Sequence, residues 1–284
     1  MIRKKWVLVF LLGFVFANLS AQSLTEKAND FLNSLTPELK SQTLFSLSDS
    51  ERTNMNYIPI ERKGPTFHDF NDKQKQAALN LLKASLSSQG YEKSREIMEL
   101  ENVLYMMENK TTKKPEGKSY RDPLNYHLCV FGNPSPNEFW GWRFEGHHIS
   151  LNFTSTKNKI ISSTPSFFGS NPGIVSIDEQ KGKEVLKSEG ELGFKLLHSL
   201  TPAQLKVAVF SDVAPGDIVT TNKRTVENIE TKGIRYGALT PEQKKIFTIL
   251  LNVYINNYEV NFANTFMAKI KKAGMDKLYF AWSG

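Results

Sequence analysis

The hydrophobic period changes twice along this chain, and those two switches limit what it can fold into. Before Asn125 apolar residues recur every three to four positions. From Tyr126 to Thr164 they alternate, and from Asp178 onward the helical spacing returns. A period of 3.6 buries one stripe of a helix, whereas a period of 2 buries one face of a strand. Helices, then strands, then helices with one last strand therefore predict an α+β fold. In it, helical N-terminal and C-terminal segments pack around a central antiparallel β-meander.

The boundaries follow from local chemistry. Ala28, Phe31, Leu32, Leu35, Leu39 and Phe45 predict helix over 24–47, broken at Thr36-Pro37. Asn71 caps the next helix with Gln74 at its third position, and Leu79, Leu82 and Leu86 share one face. Gly90 reads as its end, before a helix marked by Ile97, Leu100, Val103, Leu104 and Met107. Strands are predicted over 126–131, 139–144 and 147–154, the last two joined by Glu145-Gly146 as a tight turn. Lys157-Asn158-Lys159 turns the chain into Ile160-Ile161. Thr201-Pro202-Ala203-Gln204 and Thr240-Pro241-Glu242-Gln243 are capping boxes with Pro at the first helical position. Two helices fit 242–258 and 259–272 with Gly274 as C-cap, and a strand over 278–282 closes the sequence.

Residues 1–21 read as an export signal rather than part of the fold. Arg3, Lys4 and Lys5 precede an apolar run from Trp6 to Ala17, and Asn18-Leu19-Ser20-Ala21 offers cleavage before Gln22. The run is short for a membrane span, so no stable span is expected after cleavage. An uncleaved N-terminal anchor is the rival reading. Cleavage would leave one α+β domain over 22–284 in a periplasmic or secreted protein, with the formal charge lowered from +7 by the three signal cations. The remaining lysines are dispersed apart from Lys110, Lys113, Lys114 and Lys118 in a loop, so nucleic acid is not an expected partner. A single cysteine, Cys129, excludes an intrachain disulfide framework and reads as a packed core residue.

The hairpin over 139–154 carries the chemistry. Alternation puts His148, Ser150, Asn152 and Thr154 on one face of its second strand, and His147, Ile149, Leu151 and Phe153 on the other. The polar face lacks Lys, Asp and Glu. It reads as a pocket wall or as a solvated outer face. Glu145 fits a general base or a ligand, or plain turn polarity, and Arg143 fits an anion contact. Adjacent histidines on a strand point apart, so His147 and His148 would not readily share a metal, and no ligand spacing involves His68, His127 or His198. Trp140 and Trp142 share a side, either as a stacking platform or as core. Nucleophile elbows and phosphate loops are absent from the sequence.

Several strings resemble the signature of an uncharacterised family, the domain of unknown function 3500. They include Phe131-Gly132-Asn133-Pro134-Ser135, Gly141-Trp142-Arg143-Phe144-Glu145-Gly146-His147-His148-Ile149-Ser150-Leu151-Asn152 and Phe280-Ala281-Trp282-Ser283-Gly284. The resemblance implies an exported protein and no agreed activity. Similar sequences often carry Trp where Met55 stands. They also continue past the last strand with a His-x-His string, so by this resemblance the chain is C-terminally short and any metal site spanning both parts is half supplied.

Two functional expectations follow. The first is a metal-assisted hydrolase or oxidoreductase, with Glu145 as base, Arg143 binding an anionic group, and His148 with His147 as ligands of a divalent metal ion. The second is a binding module for a small molecule or glycan, stacking it on Trp140 and Trp142 beside His147, Ser150 and Asn152.

Overall fold

A computed structural model describes residues 22–110, 119–177, 179–226 and 229–284. The expected export signal over 1–21 lies outside the described residues, as do Lys113, Lys114 and Lys118. The fold is α+β. Helices α1 (Leu24–Ser34) and α2 (Pro37–Thr43) lead into a two-residue strand β1 (Leu44–Phe45). The break between them is where Thr36 caps α2 with its hydroxyl and Pro37 takes the first helical position. Helices α3 (Asp72–Ser85) and α4 (Ser88–Met107) follow. Asn71 and Gln74 form the expected capping box on α3.

Gly90 does not end a helix. It lies in the first turn of α4, which Ser87 caps. A Cβ there would sit 1.9 Å from the carbonyl oxygen of Asn257, so glycine permits a close approach between helix and a distant backbone.

The central sheet runs β1-β2-β3-β4-β5 and contains β2 (His127–Phe131), β3 (Trp140–Gly146), β4 (Ile149–Thr156) and β5 (Lys159–Ser162). These four form the antiparallel meander. β1 adds to it in parallel, and β6 (Ser166–Phe168) pairs with the start of β4. The remaining elements are α5 (Lys187–His198), α6 (Pro202–Ala208), β7 (Val209–Ser211), β8 (Ile234–Arg235), α7 (Pro241–Ile255), α8 (Val260–Ala273), β9 (Tyr279–Phe280) and β10 (Trp282–Ser283). Both Thr-Pro capping boxes form. The closing segment is two short strands rather than one: β9 pairs with β8, and β10 pairs in parallel with β7.

The β3–β4 register corrects the expected hairpin. Gly146 pairs with Ile149, so His147 and His148 make the turn, while Glu145 and Gly146 belong to the strand. His148 adopts φ 58°, a left-handed conformation that a two-residue connection demands. Its N–H donates to Tyr57 O at 2.8 Å and its carbonyl accepts from Gly169 N–H at 2.8 Å.

One face of the sheet joins the main core. Leu128, Val130, Trp140, Trp142, Phe144, Leu151 and Phe153 pack there with α1, α3 and α4 residues such as Phe31, Leu81 and Ile97. Trp142 stacks on Phe153 with ring centroids 5.0 Å apart. A second, smaller core gathers Leu196, Leu200, Ala208, Ile234, Leu239, Phe247 and Phe280 around α5–α7 and the short strands. Among the described residues no helix is long and apolar enough to cross a membrane.

Candidate functional site

The polar sheet face is neither a pocket wall nor a solvated surface. Pairing places Cys129, Arg143 and Asn152 in one row, and His127, Glu145 and Ser150 in the next. The irregular chain from Asp49 to Thr66 lies over these rows. Arg143, fully buried, donates to Glu51 O at 2.8 Å and to Glu51 Oε1 at 2.7 Å, with its Nε 3.7 Å from Glu145 Oε2. Glu145, equally buried, accepts from Asn56 N–H and from Ser150 Oγ, each at 2.7 Å. Arg62 Nε approaches its other oxygen at 3.2 Å. Two arginines and two glutamates thus alternate as Glu51–Arg143–Glu145–Arg62.

That arrangement engages Glu145 and Arg143, expected as base and anion contact, with partners inside the fold. The Glu145 carboxylate is buried, with both hydrogen bonds on Oε1, while Oε2 lies near the two arginines without a hydrogen bond. Together Glu145 and Arg143 hold the covering segment to the sheet, because a buried charge is tolerated only when paired and hydrogen-bonded. Asn152 is likewise engaged, donating to Pro165 O at 3.1 Å. Trp140 and Trp142 are 0% and 1% exposed, so neither offers a stacking surface and both belong to the core. Cys129 is buried, and burial pushes its thiol up to about 12.

A second polar cluster lies at the hairpin's tip. Helix α4 carries Glu101 among its buried residues, and the loop after residue 118 brings Arg121, Asp122 and Tyr126. The Tyr126 hydroxyl donates to His147 O at 2.8 Å, and its ring stacks on Phe144 with centroids 5.4 Å apart. Gly146 is required beneath that ring, since a Cβ would come within 2.4 Å of Tyr126 Cδ1. These contacts hold His147 so that its Nδ1 meets Glu101 Oε1 in a short hydrogen bond.

Arg121 Nη1 also reaches His147 Nδ1, at 3.3 Å. The same guanidinium grips Glu108 with Nη2 at 2.8 Å and Nε at 3.1 Å. Nδ1 has one lone pair, so it either accepts from Arg121 or shares a proton with Glu101, according to the imidazole's tautomer. Burial, with Glu108 and Asp122 nearby, outweighs Arg121 and raises the Glu101 carboxyl to about 8. Burial, then Arg121 and Arg62, lowers His147 to about 4. Both shifts favour the uncharged form of each group.

A cavity of about 20 Å³ lies against this pair, lined by Arg62, Glu101, Asp122, Tyr126, His127 and His147. A volume of roughly 10–15 Å³ is enough for one water. Pro59, Ile60 and Tyr120 also line it, and Ile60 and Tyr120 are exposed, 39% and 37%. The second Glu101 oxygen, Oε2, is buried and meets no protein hydrogen-bond partner.

His148 packs its ring on His147 with centroids 4.0 Å apart, so the turn brings together two imidazoles expected to point apart. Burial lowers His148 to about 4 as well. Its Nδ1 meets no protein partner and lies where a Cβ on Gly169 would be, 2.6 Å away. Among the described residues no three His, Cys, Asp or Glu side chains gather in a way that could hold a metal ion. The Glu101 and Arg121 partners of His147, and Glu108 behind Arg121, were not apparent from the hairpin alone. The signal for Glu101 was a lone acid between Ile97 and Leu104 on the buried stripe of α4.

No curated protein and no solved structure matches the chain. The family described as protein of unknown function (DUF3500) matches residues 17–284, nearly the whole sequence, and the chain belongs to that family.

Proposed function

We propose that this protein is an exported hydrolase whose proton couple is Glu101 with His147. The observation that carries the reading is the water-sized cavity beside a buried acid–imidazole pair. Between about pH 4 and about pH 8 that pair holds one proton. It can therefore accept a proton from an attacking water while releasing one to the leaving group. The water oxygen bonds to the electrophilic atom, the bond to the leaving group breaks, and the pair ends with the proton count it began with. Arg62 lines the cavity, and its positive charge would favour a substrate passing through an oxyanion. Ile60 and Tyr120 would flank a small substrate at the opening.

A metal-assisted form of the reaction would seat a cation on His147 and His148. Two imidazoles alone support it, and the Nδ1 of His147 is already engaged. Export rests on the N-terminal pattern of Arg3-Lys4-Lys5, apolar run and Ala21. Mass spectrometry of the secreted chain should find Gln22 as its first residue.

The hydrolase reading is tested with 4-nitrophenyl esters, phosphates and glycosides. At least one class should be cleaved, with a rate that falls below about pH 4 and above about pH 8. Glu101→Gln should lower that rate by about a hundredfold or more while the circular dichroism spectrum is kept. A panel left uncleaved, or full activity in the variant, refutes the reading.

A further inference from the structure

A second cavity, of about 430 Å³, opens between β6 and helices α7 and α8. Its size falls in the range of small-molecule sites, roughly 300–1,000 Å³. Phe168, Leu251, Phe266 and Ile270 give it apolar walls, and Glu189 and Asn257 form a polar corner. Behind that corner Lys93 is nearly fully buried. Its ammonium donates to Asn257 Oδ1 at 2.9 Å and, in a shorter contact, to Glu189 Oε1. The Glu189 side chain is 10% exposed, and its other oxygen, Oε2, meets no protein donor.

The charges at this corner cancel, one ammonium against one carboxylate. What Oε2 lacks is a hydrogen-bond donor, not a counter-ion. A second cation would crowd Lys93, and a carboxylate head would set lone pairs against lone pairs. We propose that this cavity binds a neutral amphiphile, an apolar body ending in a hydroxyl or N–H that donates to Glu189 Oε2. The inference is independent of the proton couple at the hairpin tip. No residue is shared between the two cavities.

The probe is N-phenyl-1-naphthylamine, an uncharged fluorophore with one N–H, added to the full chain. Its emission should rise saturably, and 1-decanol should displace it while decanoate at equal concentration does not. Leu251→Trp, which fills the cavity without touching the polar corner, should weaken the probe at least tenfold at unchanged melting temperature. Ile270→Trp, on another part of the wall, serves if Leu251→Trp fails to fold. Absence of probe binding overturns the proposal. So does displacement by decanoate as effective as by decanol, or parental affinity in whichever filled variant folds.

Discussion

Replacing Glu101 by Gln should change how stability depends on pH, because burial keeps the Glu101 carboxyl protonated in the fold. The ordinary values are 4.5 for a glutamate and 6.5 for a histidine, whereas the folded pair is bounded by about 8 and about 4. Above pH 6.5 the unfolded chain has released both protons, while the folded pair keeps one until about pH 8. The folded state binds more protons in that window, so stability falls as pH rises, by about 1.4 kcal/mol per pH unit. From pH 6.5 to pH 8 the loss is about 2 kcal/mol, or roughly 4–8 °C in melting temperature for a chain of this size. Gln donates the same hydrogen bond to His147 Nδ1 and cannot ionise. In Glu101→Gln this decline disappears, and the gap between variant and parent widens by about 2 kcal/mol across the window. His148 has the opposite sign: its lowered value adds stability above pH 6.5 that is lost as pH falls through about 4, in both proteins. Thermal melts followed by circular dichroism at constant ionic strength suffice. Parallel curves for parent and variant would refute a protonated Glu101.

Two other substitutions probe the frame around the site. Glu145→Ala removes the carboxylate between two buried arginines and should cost about 3–5 kcal/mol in urea unfolding, as breaking one side of a buried pair does. A loss near 1 kcal/mol would mean that the network is solvated. Gly90→Ala should destabilise by about 3 kcal/mol, because its Cβ would collide with Asn257 O. An unconstrained glycine in a helix would instead gain about 1 kcal/mol on becoming alanine, so the sign of the change decides.

What could be read from the sequence was what is local. The capping boxes at Asn71, Thr201 and Thr240 form as written, because their donors and acceptors lie three residues apart. The α+β order followed from the two switches of period. Errors arose where a distant residue decides. Glu145-Gly146 has turn composition, yet Arg62 and Asn56, far away in sequence, draw Glu145 into the strand and move the turn onto two histidines. Gly90 has the look of a helix end, and only the approach of Asn257 explains it. A face without lysine or aspartate suggested a ligand pocket. It is instead filled by the chain's own Asp49–Thr66 segment, whose affinity for that face is not written in any periodicity. The candidate proton couple had the same obstacle, since Glu101 and His147 meet only once α4 and the hairpin are packed.

The covering segment also constrains the order in which the molecule can assemble. Arg143 finds Glu51 across 92 residues, and Glu145 finds the Asn56 N–H across 89. A sheet formed before that closure would present a guanidinium and a carboxylate to a half-dry surface with their partners missing, a state that costs more than it gains. The strands and their cover therefore consolidate in one step, after the entropy of a long loop has been surrendered. Helices α3 and α4, which lie inside that loop, are free to form first. Until that closure the polar face of the sheet stays uncovered.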